Sequence, residues 1–356
     1  MHPVALMEKR VLIKDVAKRA GVHAATVSRA LRADARIRPE VRERIRTLAE
    51  EMGYRPDPHL RALAKYRAQG RRVRFRGLLA WVTNEPTCDG WRHYEKAAYF
   101  DGAKRRAGEL GYDLEPFWAL EPGLTPIRLR QILLTRGVRG VLLPPPPPTR
   151  PRVELPWEGL AVVSFGCSRE EPRLHSIHCH HYRAMELLLG ELLALGYRRP
   201  GLALGRSVNA SVDEAWSAAY FNFVHAMSGR MPKPLINDAW GGKELLVWRE
   251  TQRVDVIVSE RWEVLKWLRA AGIDVPGQCG FAITARHSAH PLCAGIDENS
   301  SVIGASAVDL LTSLVERGES GVPANPQNVL IEGFWSPLGN SVSRLSGVQA
   351  GHSGAM

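Results

Sequence analysis

The stretch Leu12 to Leu31, LIKDVAKRAGVHAATVSRAL, constrains the chain more than any other. Gly21 falls just past one periodic run and shortly before a second. The spacing therefore predicts two short helices, Ile13 to Ala20 and Ala24 to Leu31, joined by a tight turn. Val16, Ala17 and Ala20 lie three to four apart and face inward on the first helix; Val27 and Leu31 do so on the second. The small Ala17 permits a close crossing. Outside on the second helix stand Ala24, Ala25, Thr26, Ser28 and Arg29, short or basic groups suited to a groove floor and a phosphate rail. A helix-turn-helix whose second helix reads bases accounts for this pattern better than an ordinary helical hairpin.

IKDVAKRAGV followed by TVSRAL closely resembles the N-terminus of the lactose-repressor/galactose-repressor (LacI/GalR) family of bacterial transcription regulators. The resemblance implies DNA contacts by Lys14, His23, Ala24, Ala25, Thr26, Ser28 and Arg29. Arg29 matches the family's base-reading arginine, which can give guanine O6 and N7 two hydrogen bonds. Ala24 and Ala25 occupy positions that vary between members to set specificity, and they offer only methyl contacts, suited to thymine.

With 356 residues, 45% of them hydrophobic, the chain is long enough for two or three domains. Its net charge of +11 is unevenly placed. Met1 to Arg76 carry 20 Lys and Arg against 8 Asp and Glu, so +12, and the remainder carries 28 against 29, so −1. A basic head on a neutral body is the pattern of a polyanion-binding module attached to a sensor. Cys88, Cys167, Cys179, Cys279 and Cys293 are odd in number and include no CxxC pair. That favours buried thiols in a reducing compartment over a disulfide framework. MHPVALMEKR has no apolar run of signal-peptide length and no later segment suits a membrane span, so the expected location is the cytoplasm.

Pro39 opens a third helix on which Val41, Ile45, Leu48, Ala49 and Met52 share a face, with Gly53 ending it. Residues 10–57 thus read as a small helix-turn-helix domain with a thin core. Pro56 and Pro58 break the chain, and Leu60 to Tyr66 is a run too short to be a stable helix alone in water. The resemblance makes residues 58–76 a hinge helix and basic linker that folds on DNA against its dimer mate, with Leu63 as a wedge in the minor groove. Leu60 stands where the family commonly has alanine.

From residue 77 to 342 strand patterns (78–82, 112–118, 140–143, 160–165, 202–204, 254–258 and around 279–283) alternate with helix patterns (94–110, 126–135, 182–195, 213–227, 262–271 and 303–317), which implies an α/β body of two doubly wound parallel-sheet lobes. LLALGYRRPGLAL and LRAAGIDVPGQCGFAI match the family's sensor domain, which resembles type I periplasmic sugar-binding proteins. The chain then crosses between lobes three times, expected near Gly166, Gly295 and Pro326. Pro144 to Pro148 read as a stiff surface loop. The tail, residues 343–356, has no heptads and reads as disordered, without a tail-mediated tetramer.

In such a fold a small molecule sits between the lobes, at the carboxyl ends of the strands. The loop after the first strand offers Asn84, Trp91, His93 and Tyr94, and the second lobe offers Asp213 and Trp216. Aromatic faces and polar groups suit hydroxylated rings, so a sugar or sugar derivative is the expected effector. The chain departs from its relatives at Ala215, where many carry an effector-binding arginine, and at His180-His181, where Asp-Asn is usual. It departs again at Ala285-Arg286, where a paired aspartate is common, and Arg286 is the candidate contact there.

His175, His178, Cys179, His180 and His181 are rich in metal-ligand atoms, and His178 and His180 share a face if the segment is extended. No second metal-ligand motif accompanies them, and neither metal nor cofactor is assigned. The alternative to a regulator is a metal-dependent enzyme built on this cluster with a DNA-binding head. The chain contains no Gly-rich phosphate loop, G-x-S-x-G elbow or H-E-x-x-H motif. The expected protein is a non-enzymatic homodimeric transcription factor, a repressor by family default. It would bind palindromic double-stranded operator DNA with an affinity set by the small molecule, and would have no membrane partner.

Overall fold

The computed structural model describes residues 11–31, 37–54, 76–92, 94–146, 151–167, 171–227, 232–286 and 293–343. The expected hinge helix with Leu60 and Leu63, the candidate His93 and nearly all of the tail lie outside these residues, as do the side chain of Tyr94 and the last two of the five prolines.

The first helices are α1 (Ile13–Ala20), α2 (Ala24–Leu31) and α3 (Pro39–Glu51). Gly21 closes α1 at φ 67°, a left-handed geometry that a residue without Cβ adopts freely, and its N–H donates to the Ala17 carbonyl. Val16, Val27 and Ile45 meet with no solvent exposure, and Ala17, Ala30 and Ala49 fill the gaps between them. Ala20 and Leu31 are only half-buried; Ala30, one residue earlier in α2, takes the inner position. The Arg44 guanidinium donates to the Ala20 carbonyl at 3.1 Å, fastening α3 to the C-terminal end of α1, where a helix dipole favours a cation.

A period of two splits strand β1 (Gly77–Thr83, GLLAWVT) between two cores, Leu79 and Trp81 entering one and Leu78, Ala80 and Val82 the other. A strand buried on both faces belongs inside a parallel sheet covered by helices on either side. The first lobe supplies that setting with α4 (Tyr94–Leu110), β2 (Tyr112–Trp118), α5 (Pro126–Thr135), β3 (Gly140–Leu143), β4 (Ala161–Phe165) and β5 (His175–Cys179). The second lobe holds α6 (His181–Ala194), β6 (Pro200–Leu204), α7 (Arg206–Ser211), α8 (Ala215–Ala226) and β7 (Leu235–Ile236). It continues through α9 (Gly242–Gln252), β8 (Val256–Ser259), α10 (Glu263–Ala270), β9 (Gly280–Ile283) and β10 (Ala294–Asp297). The chain returns through α11 (Ser300–Arg317) and β11 (Asn328–Ile331), and then forms β12 (Phe334–Ser336).

The two sheets share one plan. The first runs β2-β1-β3-β4-β5-β11 with every neighbour parallel; the second runs β7-β6-β8-β9-β10-β12, parallel except that β12 opposes β10. The inner faces of both sheets feed a single hydrophobic core in which Trp81, Leu188, Tyr220 and Leu311 are buried. Helices α4 and α11 cross within it almost backbone to backbone. A Cβ on Gly102 would lie 2.0 Å from the Ser301 carbonyl oxygen, and one on Gly304 would lie 2.0 Å from that of Tyr99.

The lobe crossings differ from the sequence expectation. After Gly166 the chain stays in the first lobe, because β5 pairs with β4 (Val163 opposite His175), and it crosses only at His180. Gly295 sits inside β10, and the second crossing follows at Glu298 and Asn299. Pro326 precedes β11 in the first lobe, so the third crossing is Glu332-Gly333. The sequence reading also left out α7, α9 and five short strands, β5, β7, β10, β11 and β12. Strands of two to five residues are too brief to display a period. In α9 the exposed Val247 interrupts the apolar stripe. Pro144 is buried rather than part of a surface loop. All five cysteines are free thiols, and three of them are buried, whereas Cys88 is exposed and Cys167 half-buried.

Candidate nucleic-acid interface and inter-lobe cleft

Packing of the three N-terminal helices consumes their apolar faces and leaves one polar face outward. Lys14, His23, Ala25 and Arg29 are exposed, and Ala24, Thr26 and Ser28 are half-buried around them. The His23 carbonyl accepts from the N–H groups of Thr26 (2.8 Å) and Val27 (3.2 Å), so His23 caps α2 and the following alanines begin the helix. Asp15 steadies the other end of the unit by accepting the Leu12 N–H at 2.8 Å. The structure thus gathers seven sequence-derived candidates on one head, with small side chains at the start of α2 and a guanidinium further along it.

In a doubly wound sheet the crevice opens where strand order reverses, between β1 and β3 in the first lobe and between β6 and β8 in the second. At the end of β1 the Asn84 amide donates to the Pro151 carbonyl at 2.7 Å. Its neighbour Glu85 is buried and paired with the Lys96 ammonium, while its carbonyl accepts from Trp118 Nε1 at 2.8 Å. At the matching edge of the second lobe the Gly205 N–H donates to Glu260 Oε1 at 2.9 Å, and Asp238 accepts from both the N–H and hydroxyl of Ser207. The Arg261 guanidinium lies 4.3 Å from the centre of the Trp240 ring. Sequence reasoning missed Glu85, Lys96, Asp238, Glu260 and Arg261. A polar residue following a strand end was the available signal for Glu85, Glu260 and Arg261; Lys96, inside α4, and Asp238, after the two-residue β7, carried none.

Trp91 is placed differently from its expected role. It is 2% exposed, its ring packs against Phe100 (4.4 Å between centroids) and Trp81 (5.9 Å), and Arg92 covers it at 4.6 Å. Arg286 is committed within the second lobe, with its guanidinium donating to the Cys293 carbonyl (3.0 Å) and the Ser336 hydroxyl (2.5 Å). Asp213 is exposed on the turn before α8, where it and Glu214 both hold φ near 60°, at 59° and 58°. Asn209 anchors that turn, its carbonyl accepting the Glu214 N–H and its side-chain amide donating to the Ser217 hydroxyl. Left-handed backbone at two consecutive non-glycine residues is a strained arrangement of the kind found beside binding sites.

At the lobe crossings, His178 on β5 and His181 at the start of α6 stack with 5.4 Å between ring centroids and 12° between planes. The ring of Trp216 meets His181 edge-on at 5.5 Å. The predicted pairing of His178 with His180 does not form, because β5 ends at Cys179 and α6 turns His181 back onto His178. Cys167, which follows β4, places its Sγ 3.1 Å and 3.3 Å from the two ring nitrogens of His178. Burial, reinforced by the charges of Asp213 and Glu298, pushes the Cys167 thiol up to about 12. Burial also holds the His178 imidazole below its ordinary range, against the raising effect of its hydrogen bond to the Cys179 carbonyl.

Residues 12–57 match the family described as bacterial regulatory proteins, lacI family. Over 204 residues the chain is 30% identical to the sucrose operon repressors of Shigella flexneri and Escherichia coli, an alignment covering 53% of this chain and 54% of each relative. The chain thus spans about half the length of the curated relatives it matches. Among solved structures, a transcriptional regulator CelR–cellobiose complex is similar with a TM-score of 0.54 at 19% identity, over 93% of this chain and 100% of the other. A lac repressor dimer bound to operator and the anti-inducer ONPF gives 0.53 at 17% identity, over 94% and 100%. At these identities the likeness is one of fold.

Proposed function

We propose that the chain is a member of the LacI/GalR family of bacterial regulatory proteins, a sequence-specific transcriptional regulator that acts as a homodimer on a nearly palindromic DNA duplex. The observation that carries the proposal is the polar face of the N-terminal helices, where Lys14, His23, Ala25 and Arg29 stand exposed around the first turns of a capped helix. That face supplies cations for phosphates, short side chains that let α2 approach base edges, and one guanidinium for a guanine. The domain division follows: residues 10–57 as the reading head, 58–76 with Leu63 as hinge and linker, and 77–342 as the sensor. Because the family is one of regulators, no enzymatic step is assigned. The five free thiols support a reducing compartment, and the proposed location is the cytoplasm. No helix of the described residues is long and apolar enough to cross a membrane.

The cleft between the lobes is proposed to take a sugar or sugar derivative. The names of the sucrose operon repressors and of the cellobiose complex point that way, and so do the polar groups at the strand ends, Asn84, Glu260 and Arg261, and the exposed Asp213 on the turn before α8. Coupling between sugar and DNA runs both ways by linkage. Selection of the full-length protein against random duplexes tests the DNA reading. The expected product is two inverted half-sites about 10 base pairs apart, centre to centre, and an asymmetric consensus or none counts against it. Thermal shifts with sucrose and cellobiose test the cleft, since a molecule binding only folded protein raises the melting temperature by mass action.

A further inference from the structure

From the juxtaposition of Cys167, His178 and His181, we propose a binding site for a zinc-class divalent ion at the crossing between the two lobes. The ligand atoms of these three residues all lie within 4.8 Å of one another, and all three come from different elements: the loop after β4, the end of β5, and the start of α6. Zinc takes thiolate and imidazole together, with bonds of about 2.3 and 2.0 Å, which in a tetrahedron set sulfur and nitrogen about 3.5 Å apart. The Cys167 Sγ lies 3.3 Å from His178 Nε2 and 3.1 Å from Nδ1, so a small shift of the thiol toward the Nε2 side sets that spacing.

The rings are also held from behind. His178 Nδ1 is 2.8 Å from the Cys179 carbonyl, so a proton on Nδ1 donates there and leaves the Nε2 lone pair for a metal. His181 is 8% exposed, and its buried Nδ1 makes no hydrogen bond, while Glu298 Oε1 stands 3.3 Å from it. A metal-bound imidazole normally presents its second nitrogen to a carboxylate or carbonyl, the relation that Cys179 and Glu298 offer to these two histidines. On binding, the Cys167 thiol gives its proton to solvent and forms a sulfur–metal bond. Three protein ligands leave the fourth position for water or an oxygen of a cleft ligand. A second group, Cys179, His181 and Glu298, shares one residue with the first and makes a distinct assignment that the test separates.

Because Cys167 and His178 belong to the first lobe and His181 opens the second, the ion would tie the lobes together at the first crossing. The site does not depend on the DNA-binding reading, and its test uses no DNA. The full-length protein, stripped with chelator, is titrated with cobalt(II) and then challenged with zinc. The expected result is one cobalt per chain with a thiolate-to-cobalt charge-transfer band and strong tetrahedral d–d bands, all abolished by zinc. Cys167→Ser loses the charge-transfer band, Cys88→Ser and Cys179→Ser retain it, and Glu298→Gln, through its positioning of His181, weakens cobalt binding 10- to 100-fold. Circular dichroism of each variant checks that it is folded. A folded wild-type protein without the band, or a band that survives Cys167→Ser, overturns the site, and loss of the band in Cys179→Ser moves it to the other group.

Discussion

The backbone N–H of His180 donates to the carbonyl of Ile331 at 2.8 Å, lacing the first crossing between the lobes to the third. Asn299 on the second crossing joins them, because its side-chain amide donates to the Glu332 carbonyl at 2.8 Å. These two hydrogen bonds fasten the three crossings to one another, so that they form one connection between the two sheets.

Asn299 also carries a backbone constraint, holding φ at 60° just before α11. Asn299→Ala loses the hydrogen bond and puts a less tolerant residue in the left-handed region, so unfolding stability should fall by about 1–3 kcal/mol. Asn299→Gly keeps the backbone freedom and should lose less. Urea unfolding of both variants checks the order; equal losses would remove the backbone contribution.

The contact of α4 with α11 depends on two glycines whose absent Cβ atoms make room for the facing backbone. Gly102→Ala and Gly304→Ala should each destabilise by about 1–3 kcal/mol or more, since neither clashing carbonyl is a side chain able to move aside. Gly108 lies on the same helix α4 with nothing within 4 Å of its would-be Cβ. Gly108→Ala should therefore stabilise by about 0.5–1 kcal/mol. Thermal melts of the three variants settle whether proximity, rather than helix propensity, decides the sign.

His175 should make the edge of the first lobe sensitive to mild acid. The Gln327 N–H donates to its Nδ1 at 3.0 Å, a bond that only the neutral ring accepts. Burial lowers its pKa below the ordinary 6.5, with Glu319 acting upward and Arg317 downward. The unfolded chain then binds the proton first, so the stability gained from neutral His175 is full above 6.5 and declines as pH falls below it toward the folded value. An NMR titration of the ring should give a midpoint under 6.5, and a midpoint at or above it contradicts this assignment.

Legibility from the sequence followed the length of each element. Helices α4 and α5 and strands β2 and β3 emerge with their observed bounds because turn residues such as Gly111, Pro126 and Gly140 punctuate long apolar runs. The crossings were misplaced because they carry no local signature. His180, Glu298 and Gly333 mark the crossings only once the strand order is known. Site residues divide the same way. Arg29 and its neighbours are adjacent in sequence and were readable there, whereas Cys167 and His181 meet through β5 and a helix start. Trp91 shows the opposite limit, since an aromatic in a loop gives no sign of whether its faces will be covered.

The claim that the head reads DNA sequence is tested most directly by the affinity of the full-length protein for its selected duplex and for a scrambled one at the same salt. The expected result is a preference of about 10³-fold or more for the selected duplex, with Arg29→Ala losing about 1–3 kcal/mol on it and less on the scrambled one. Equal affinity of the wild-type protein for the two duplexes would contradict it.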